Sequence, residues 1–261
     1  MSPPVPGGRH GSPWPALDWE QPWLAPFRQR GQVVEQAVQR GMPVYQALNQ
    51  ACQAPVEFVP QSALPPGMAY ERFIAQTGQC PSRDGWHDLF NGLCWMHLPA
   101  TKKRLNELQA AQIRAQGPVA RRGPVRDAIT LLDENGALLH APAPLWQALL
   151  DRRWEQLFGP LRALWQDARL VLLGHALLEK LQTPRKAITA HVLALPQPVA
   201  SLAGMDDWTA RQLDAPLLAR KPFAPLPVLG VPGWWQSNDD PAFYRDPGVF
   251  RRASPALART Q

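Results

Sequence analysis

DGWHDLFNGLCWMHLPATKKRLNELQ, residues 84–109, packs more chemically committed residues into two helical segments than any other part of the chain. Its residues recur every third or fourth position, so His87, Asn91 and Trp95 share one stripe of a helix, with Asp84 and Asp88 alongside. Asp84 has the chemistry of a helix cap. Pro99 ends that helix, because the residue before a proline is pushed out of the helical region. Thr101 then caps a second helix, KKRLNELQAAQIRAQ, which carries Lys102, Lys103 and Asn106 and stops at Gly117 and Pro118. Two long helices in succession predict a mainly helical protein.

On the N-terminal side, Met1–Pro15 is rich in Pro, Gly and Ser and predicts a disordered tail over residues 1–16, with order beginning near Leu17. Trp19, Trp23 and Phe27 lie at helical spacing, and VVEQAVQRG and VYQALNQA read as two short helices parted by Gly41 and Pro43. Val56–Pro60 predicts a short strand, QSALPPG a turn, and residues 69–76 a helix stopped by Gly78. Residues 81–84 read as a loop.

On the C-terminal side, an Asn-Gly pair separates ITLL from ALLH, which fits either a β-hairpin or a helix ending at Gly136. Leu145–Phe158 and Leu161–Leu181 predict a helix pair, the second nearly continuous in its apolar character and so the most buried. AITAHVLAL alternates as an inner strand should, with His191 and Thr189 on one face. Beyond Pro196 prolines multiply, and residues 196–261 read as an extended arm held on the domain by Trp234, Trp235, Phe243, Tyr244 and Phe250. The expectation is a single compact α+β domain, residues 17–195, with few short strands and this Pro/Trp-rich arm packed on it.

Composition narrows the function. A chain of 261 residues with 45% hydrophobic and 18% charged side chains is globular, and can bury roughly three quarters of its unfolded surface. The net charge of +6 raises nucleic acid as a partner. Yet the basic residues are scattered and mostly Arg, and no basic run alternates with aromatics, so nucleic acid is not the expected partner. Cys52, Cys80 and Cys94 form no CxxC pair, which argues against a zinc ribbon or disulfide framework and for a reducing cytoplasm. Neither a secretory signal nor a membrane-spanning run is legible.

Four constellations could carry chemistry. His87 and Asp88, oriented by Asn91, are a metal-ligand or acid/base pair, or else an Asp-rich first turn with helix-to-loop hydrogen bonds. His175 and Glu179 lie four apart in an apolar segment, where a carboxylate needs a metal, His175 or an arginine such as Arg126 as its partner. Arg122, Arg126, Asp127, Asp133, Glu134 and Asn135 suit a hard cation or simply a solvated turn. His191 is a strand histidine, a type more often satisfied in a core than bound to a metal. Motifs for nucleophilic serine or for phosphate loops are absent, and Cys94 reads as buried and inert.

HDLFNGLCW, PATKKRLNELQ, RGPVRDAITLLDENGA, GHALLEKL, PRKAITAH, GWW and DPAFYRDPGVFR, in this order, resemble a bacterial family of uncharacterised proteins known only as a domain of unknown function. The resemblance spans Leu17 to Arg251 and implies one family-length unit, with no activity attached. The residues themselves lead to a metal-dependent hydrolase. His87, Asp88, His175, Glu179 and His191 would hold a divalent ion such as Zn²⁺, Mn²⁺ or Fe²⁺, and Arg126 and Lys103 would neutralise an anionic, phosphoester-like substrate. The competing class is a non-catalytic interaction protein, its polar residues a buried network and its C-terminal arm the surface for a protein partner. Convergence of His87, His175 and Glu179 around an open cavity separates the two.

Overall fold

The amphipathic segments on either side of Gly41 and Pro43 become α1 (Arg28–Gln39) and α2 (Val44–Ala51), preceded by a 3-10 turn that buries Trp23, Leu24 and Phe27. The computed structural model describes residues 14–51, 53–116, 123–196, 199 and 201–252. The expected tail therefore lies outside the described residues up to residue 13, as do Cys52, Gly117, Pro118 and Arg122. Order reaches back to Trp14, whose ring lies 4.7 Å from that of Trp86. Buried Glu35 anchors this entry segment by accepting hydrogen bonds from Leu17 N at 2.7 Å and Trp19 Nε1 at 2.5 Å.

Next come β1 (Glu57–Pro60), α3 (Tyr70–Thr77) and β2 (Gln79–Ser82). Gly78 ends α3 at φ +69°, the left-handed conformation that favours glycine. Residues 79–82 are a strand rather than the start of a loop, pairing in parallel with β1 from Glu57↔Gln79 to Pro60↔Ser82. A four-residue strand containing a proline has too little alternation to be legible on its own.

α4 (Trp86–His97) and α5 (Pro99–Gln116) are the two helices of the opening stretch. Both caps differ from the local reading. Asp84 accepts from Val44 N, at the start of α2, at 2.9 Å, and α4 follows Gly85. Thr101 lies inside α5, whose first amides, Ala100 N and Thr101 N, are met by the Asp206 carboxylate at 2.8 and 2.7 Å. The first amides of α2 and α5 are thus met by carboxylates from elsewhere in the fold, which also favours each helix dipole.

α6 (Pro124–Asn135) settles the hairpin-or-helix choice. ITLL is helical, burying Ala128, Ile129 and Leu132, and the chain passes directly into β3 (Gly136–His140). After α7 (Ala143–Leu150) and α8 (Trp154–Phe158), the expected long helix over 161–181 is replaced by a 3-10 turn, β4 (Arg169–Leu172) and α9 (His175–Lys180). An apolar run such as RLVLL does not by itself distinguish a buried strand from a buried helix. β5 (Thr189–Leu195) is the inner strand expected. The last segment is more regular than an extended arm, holding α10 (Leu202–Gln212), α11 (Ala215–Ala219) and β6 (Phe223–Pro227).

Four strands form one sheet in the order β4-β3-β5-β6, with β3 and β5 parallel and both edge strands antiparallel to their neighbours. Pro225 and Pro227 sit on the edge strand β6, where a missing N–H costs least. Alternation divides the core. Ala137, Leu139, Ala190 and Val192 face one cluster with α1, α2, α4 and α9, while Leu138, Leu193 and Leu195 face another with α5, α6, α10 and α11. The arm's Tyr244 and Phe250 join the first cluster, with ring centroids 4.7 and 6.0 Å from Phe158. The result is a single, mainly helical α+β domain. None of the helices among the described residues is long and apolar enough to cross a membrane.

Candidate functional site

Burying Leu89, Phe90, Leu93 and Met96 fixes the rotation of α4 and turns His87, Asp88, Asn91 and Trp95 toward a cleft of about 350 Å³. α5 lines the same cleft with Lys102, Leu105 and Gln109, α6 with Thr130, Asp133 and Glu134, and α9 with its first residue, His175. α9 reaches this point through Gly174, whose backbone runs so close to the end of α6 that a Cβ there would lie 2.6 Å from Glu134 O and from Gly136 N. The amides of Leu173 and Gly174 both donate to Gly136 O, at 3.0 and 2.9 Å, which holds His175 beside Asp133 and Glu134.

Three side chains then converge. His175 Nε2 lies 3.2 Å from His87 Nε2 and 3.6 Å from Glu134 Oε2, and one donor atom from each residue falls within 4.8 Å of the others. Behind His87, its Nδ1 meets Glu179 Oε2 at 3.0 Å. Behind His175, Nδ1 is buried 3.8 Å from Asp133 Oδ2 and within reach of the backbone of the same residue.

The electrostatics favour ligation. Burial lowers the His175 pKa to about 4 against the opposing pull of Asp133, so its imidazole is neutral near pH 7. Burial, then the Asp133 charge, pushes the Glu134 carboxyl above its ordinary range, a situation a cation would relieve. Lys102, 4% exposed, donates to Asn91 Oδ1 at 2.8 Å and forms an ion pair with Asp133. Burial works against both charges of that pair, but mutual attraction prevails: the Lys102 pKa stands above and the Asp133 pKa below its usual value. Cys80 and Cys94 are pushed up to about 11 and about 12 by burial, leaving no reactive thiolate here.

The residues singled out from the sequence divide accordingly. His87, His175 and Glu179 converge, and Asn91 lines the cleft, giving its oxygen to Lys102 and donating to Tyr70 Oη at 3.1 Å. Asp88 lies on the same wall, but its carboxylate is taken up by Arg83, through the backbone N at 2.6 Å and Nε at 3.0 Å. Glu179 is 43% exposed rather than buried, and its partner is His87, neither His175 nor Arg126. Arg126 does not line the cleft. Lys103 is exposed on the far side of α5, and it is Lys102 that turns inward. His191 lies opposite Gly136 and Pro225 in the sheet, outside the cluster. Asn135 accepts from Lys180 Nζ at 2.7 Å.

Lys102 and Glu134 complete the cleft beside the residues expected from the sequence. Helical phase carries a signal for the first, since Lys102, Leu105, Asn106 and Gln109 share the face that holds a leucine, and Lys103 does not. For Glu134 the decisive fact is that DEN ends a helix, which the sequence left open. The family model described as "Protein of unknown function (DUF3025)" matches residues 56–254. No curated protein and no solved structure matches the chain.

Proposed function

The chain belongs to that family of unknown function, and we propose, from its own side chains, that it is a metal-dependent hydrolase acting on an anionic, phosphoester-like substrate. The observation that carries this reading is the pair of imidazoles facing each other through Nε2 at 3.2 Å, with Glu134 Oε2 3.6 Å from one of them, at the wall of an open cleft. Two nitrogens bound tetrahedrally at about 2.05 Å from Zn²⁺ stand roughly 3.3 Å apart, so the spacing is already that of a ligand pair. His87, His175 and Glu134 are the proposed ligands, and Glu179 orients the His87 ring from behind, as carboxylates behind metal-bound histidines do. This two-nitrogen, one-oxygen set suits Zn²⁺, Mn²⁺ or Fe²⁺ better than Ca²⁺.

An ion there would bring the pKa of bound water toward neutrality and stabilise charge developing in the transition state. Charge also makes substrate binding depend on the ion. Among the described lining residues Glu71, Asp88, Asp133 and Glu134 face only Arg83 and Lys102 as full cations, and each of those two is paired with a carboxylate. An anion therefore enters only once a divalent ion has offset this excess. Free, buried Cys80 and Cys94 fit a reducing cytoplasm, and the motif resemblance a bacterial one.

The reading of the cleft as a purely structural network finds support at Asp88 and Asn91, which are satisfied internally. It leaves the facing imidazoles unexplained. The arm offers little to a partner, since its Tyr244 and Phe250 are buried and Val33 is the one large apolar side chain exposed among the described residues.

The test is metal content and phosphoester turnover of the purified full chain, wild type against His175→Ala. One ion per chain, lost in the variant, with ion-dependent cleavage of an aryl phosphate ester, is the expected result. No ion in either protein and no effect of chelator on stability would refute the metal site. Ion binding without cleavage of mono- or diesters would refute the substrate class alone.

A further inference from the structure

We propose that the far end of the cleft is a subsite for the alcohol part of the phosphoester, and that Gln109 selects there a neutral organic group with an N–H or O–H donor on an apolar body. For the reaction this rests on the reading above. Hydrolysis adds water across the P–O bond and releases phosphate and an alcohol, and the subsite holds the body of that alcohol.

Seven residues separate Lys102 from Gln109 on α5, close to two full turns, so both face the cleft at points about 10 Å apart along the helix axis. Lys102 marks the end where Asp133 and Glu134 meet the histidines. Gln109 marks the other end. The walls there come from α3 and α6, and Asn106 Nδ2 ties α5 to α3 by donating to Glu71 O at 2.9 Å. That length suits an aryl phosphate carrying one substituent, with its phosphorus at the histidines and its substituent at Gln109.

Gln109 is 2% exposed, and its Oε1 is buried with no hydrogen-bond partner among the described residues. An enclosed amide oxygen in that state is destabilising, and an apolar side chain of the same shape would pack there at less cost. Its surroundings in the cleft do not supply the donor. Leu105, one turn back on the same face, and Ile74 and Ile129 on the neighbouring helices are apolar, and the Asn106 amide nitrogen is committed to Glu71 O. A ligand that fills this end brings the missing donor and lays its body on those three aliphatic side chains. Charge narrows the choice further. Glu71 is the charged side chain of this end, whereas Arg83 and Lys102 are paired with Asp88 and Asp133 at the other. A carboxylate or second phosphate is therefore repelled. An ammonium would leave water for an aliphatic frame, which is costly.

Gln109→Leu is the discriminating variant, because it keeps the bulk and removes the amide. The first readout needs neither ion nor turnover: acetanilide, methyl benzoate and benzoate are titrated against the ion-free full chain, and the Gln109 side-chain amide signal is followed by ¹H–¹⁵N NMR. Acetanilide should shift that signal. Methyl benzoate, which has the ring and a carbonyl but no donor, should bind roughly 10-fold more weakly, and benzoate should not bind. In Gln109→Leu acetanilide and methyl benzoate should bind equally, while the urea midpoint of the free protein stays level or rises. The second readout is kcat/KM with Zn²⁺ or Mn²⁺, expected to favour 4-acetamidophenyl phosphate over phenyl phosphate in the wild type and to lose that preference in the variant. Equal binding of acetanilide and methyl benzoate to the wild type, or a urea midpoint that falls in Gln109→Leu, would overturn the subsite and leave the metal site standing. A selective acetanilide shift with no cleavage of either ester would uphold the subsite and refute the phosphoester chemistry.

Discussion

Replacing Lys102 by Met keeps the length and most of the volume of the side chain and removes the charge, its donors and the ammonium's contact 5.6 Å above the Trp95 ring. Asp133 is then left without its cation, and Asn91 Oδ1 without its donor. Breaking one side of a buried ion pair costs about 3–5 kcal/mol. Asp133 keeps 28% of its side-chain surface, which places the loss at the lower end, about 3 kcal/mol. For a chain of this size that lowers the melting temperature by roughly 6–12 °C. The loss has a pH signature. The Asp133 pKa is below its unfolded value, so its contribution is complete above about pH 4 and lost as pH falls through the lower folded value. The Lys102 pKa is above its unfolded value, so its contribution is complete below about pH 10 and lost as pH rises through the higher folded value. Urea unfolding from pH 3 to 9 should therefore show a constant gap between wild type and variant at neutral pH that closes in acid. The double variant Lys102→Met/Asp133→Leu should recover most of the loss, because an apolar pair fills the same space without a stranded charge. A gap below about 1 kcal/mol at pH 7, or one equally large at pH 3, would refute the view of this pair as an enclosed ion pair.

Gly174→Ala, which drives a methyl against the end of α6, should cost about 2–3 kcal/mol and weaken Zn²⁺ binding through His175, measured by urea unfolding and chelator competition. Asp206→Ala removes both acceptors at the start of α5 and should cost about 2–3 kcal/mol, with fraying of residues 99–102 in amide exchange. His97, held near pKa 4 by burial and then by Arg30, is neutral in the folded protein but protonates in the unfolded chain below about pH 6.5. Stability should thus fall as pH drops from 6.5 toward 4, and His97→Gln should flatten that slope by one proton, as fitted from urea midpoints against pH.

Legibility in the sequence followed the range of the interaction that decides each feature. α1, α2, α3 and the pair α4 and α5 were readable because their apolar spacing and their Gly and Pro stops are local. β2 and β4 were not, since a four-residue strand exists only through its neighbour across the sheet. Asp84 and Asp206 show the same rule for caps: one was assigned to the wrong helix and the other not assigned, because both reach their helix across the fold.

The site divides along the same line. The stripe of His87, Asn91 and Trp95 and the pairing of His175 with Glu179 are properties of residue spacing, and the chain by itself determined them, along with the mainly helical class. That Lys102 faces inward rather than Lys103, that Glu134 joins the histidines, that Asp88 belongs to Arg83 and that His191 stays in the sheet were decided only by tertiary structure. Spacing specifies which residues share a face. Which faces meet depends on the burial of two apolar clusters across a sheet, and on a glycine at 174 that lets one helix begin against the end of another.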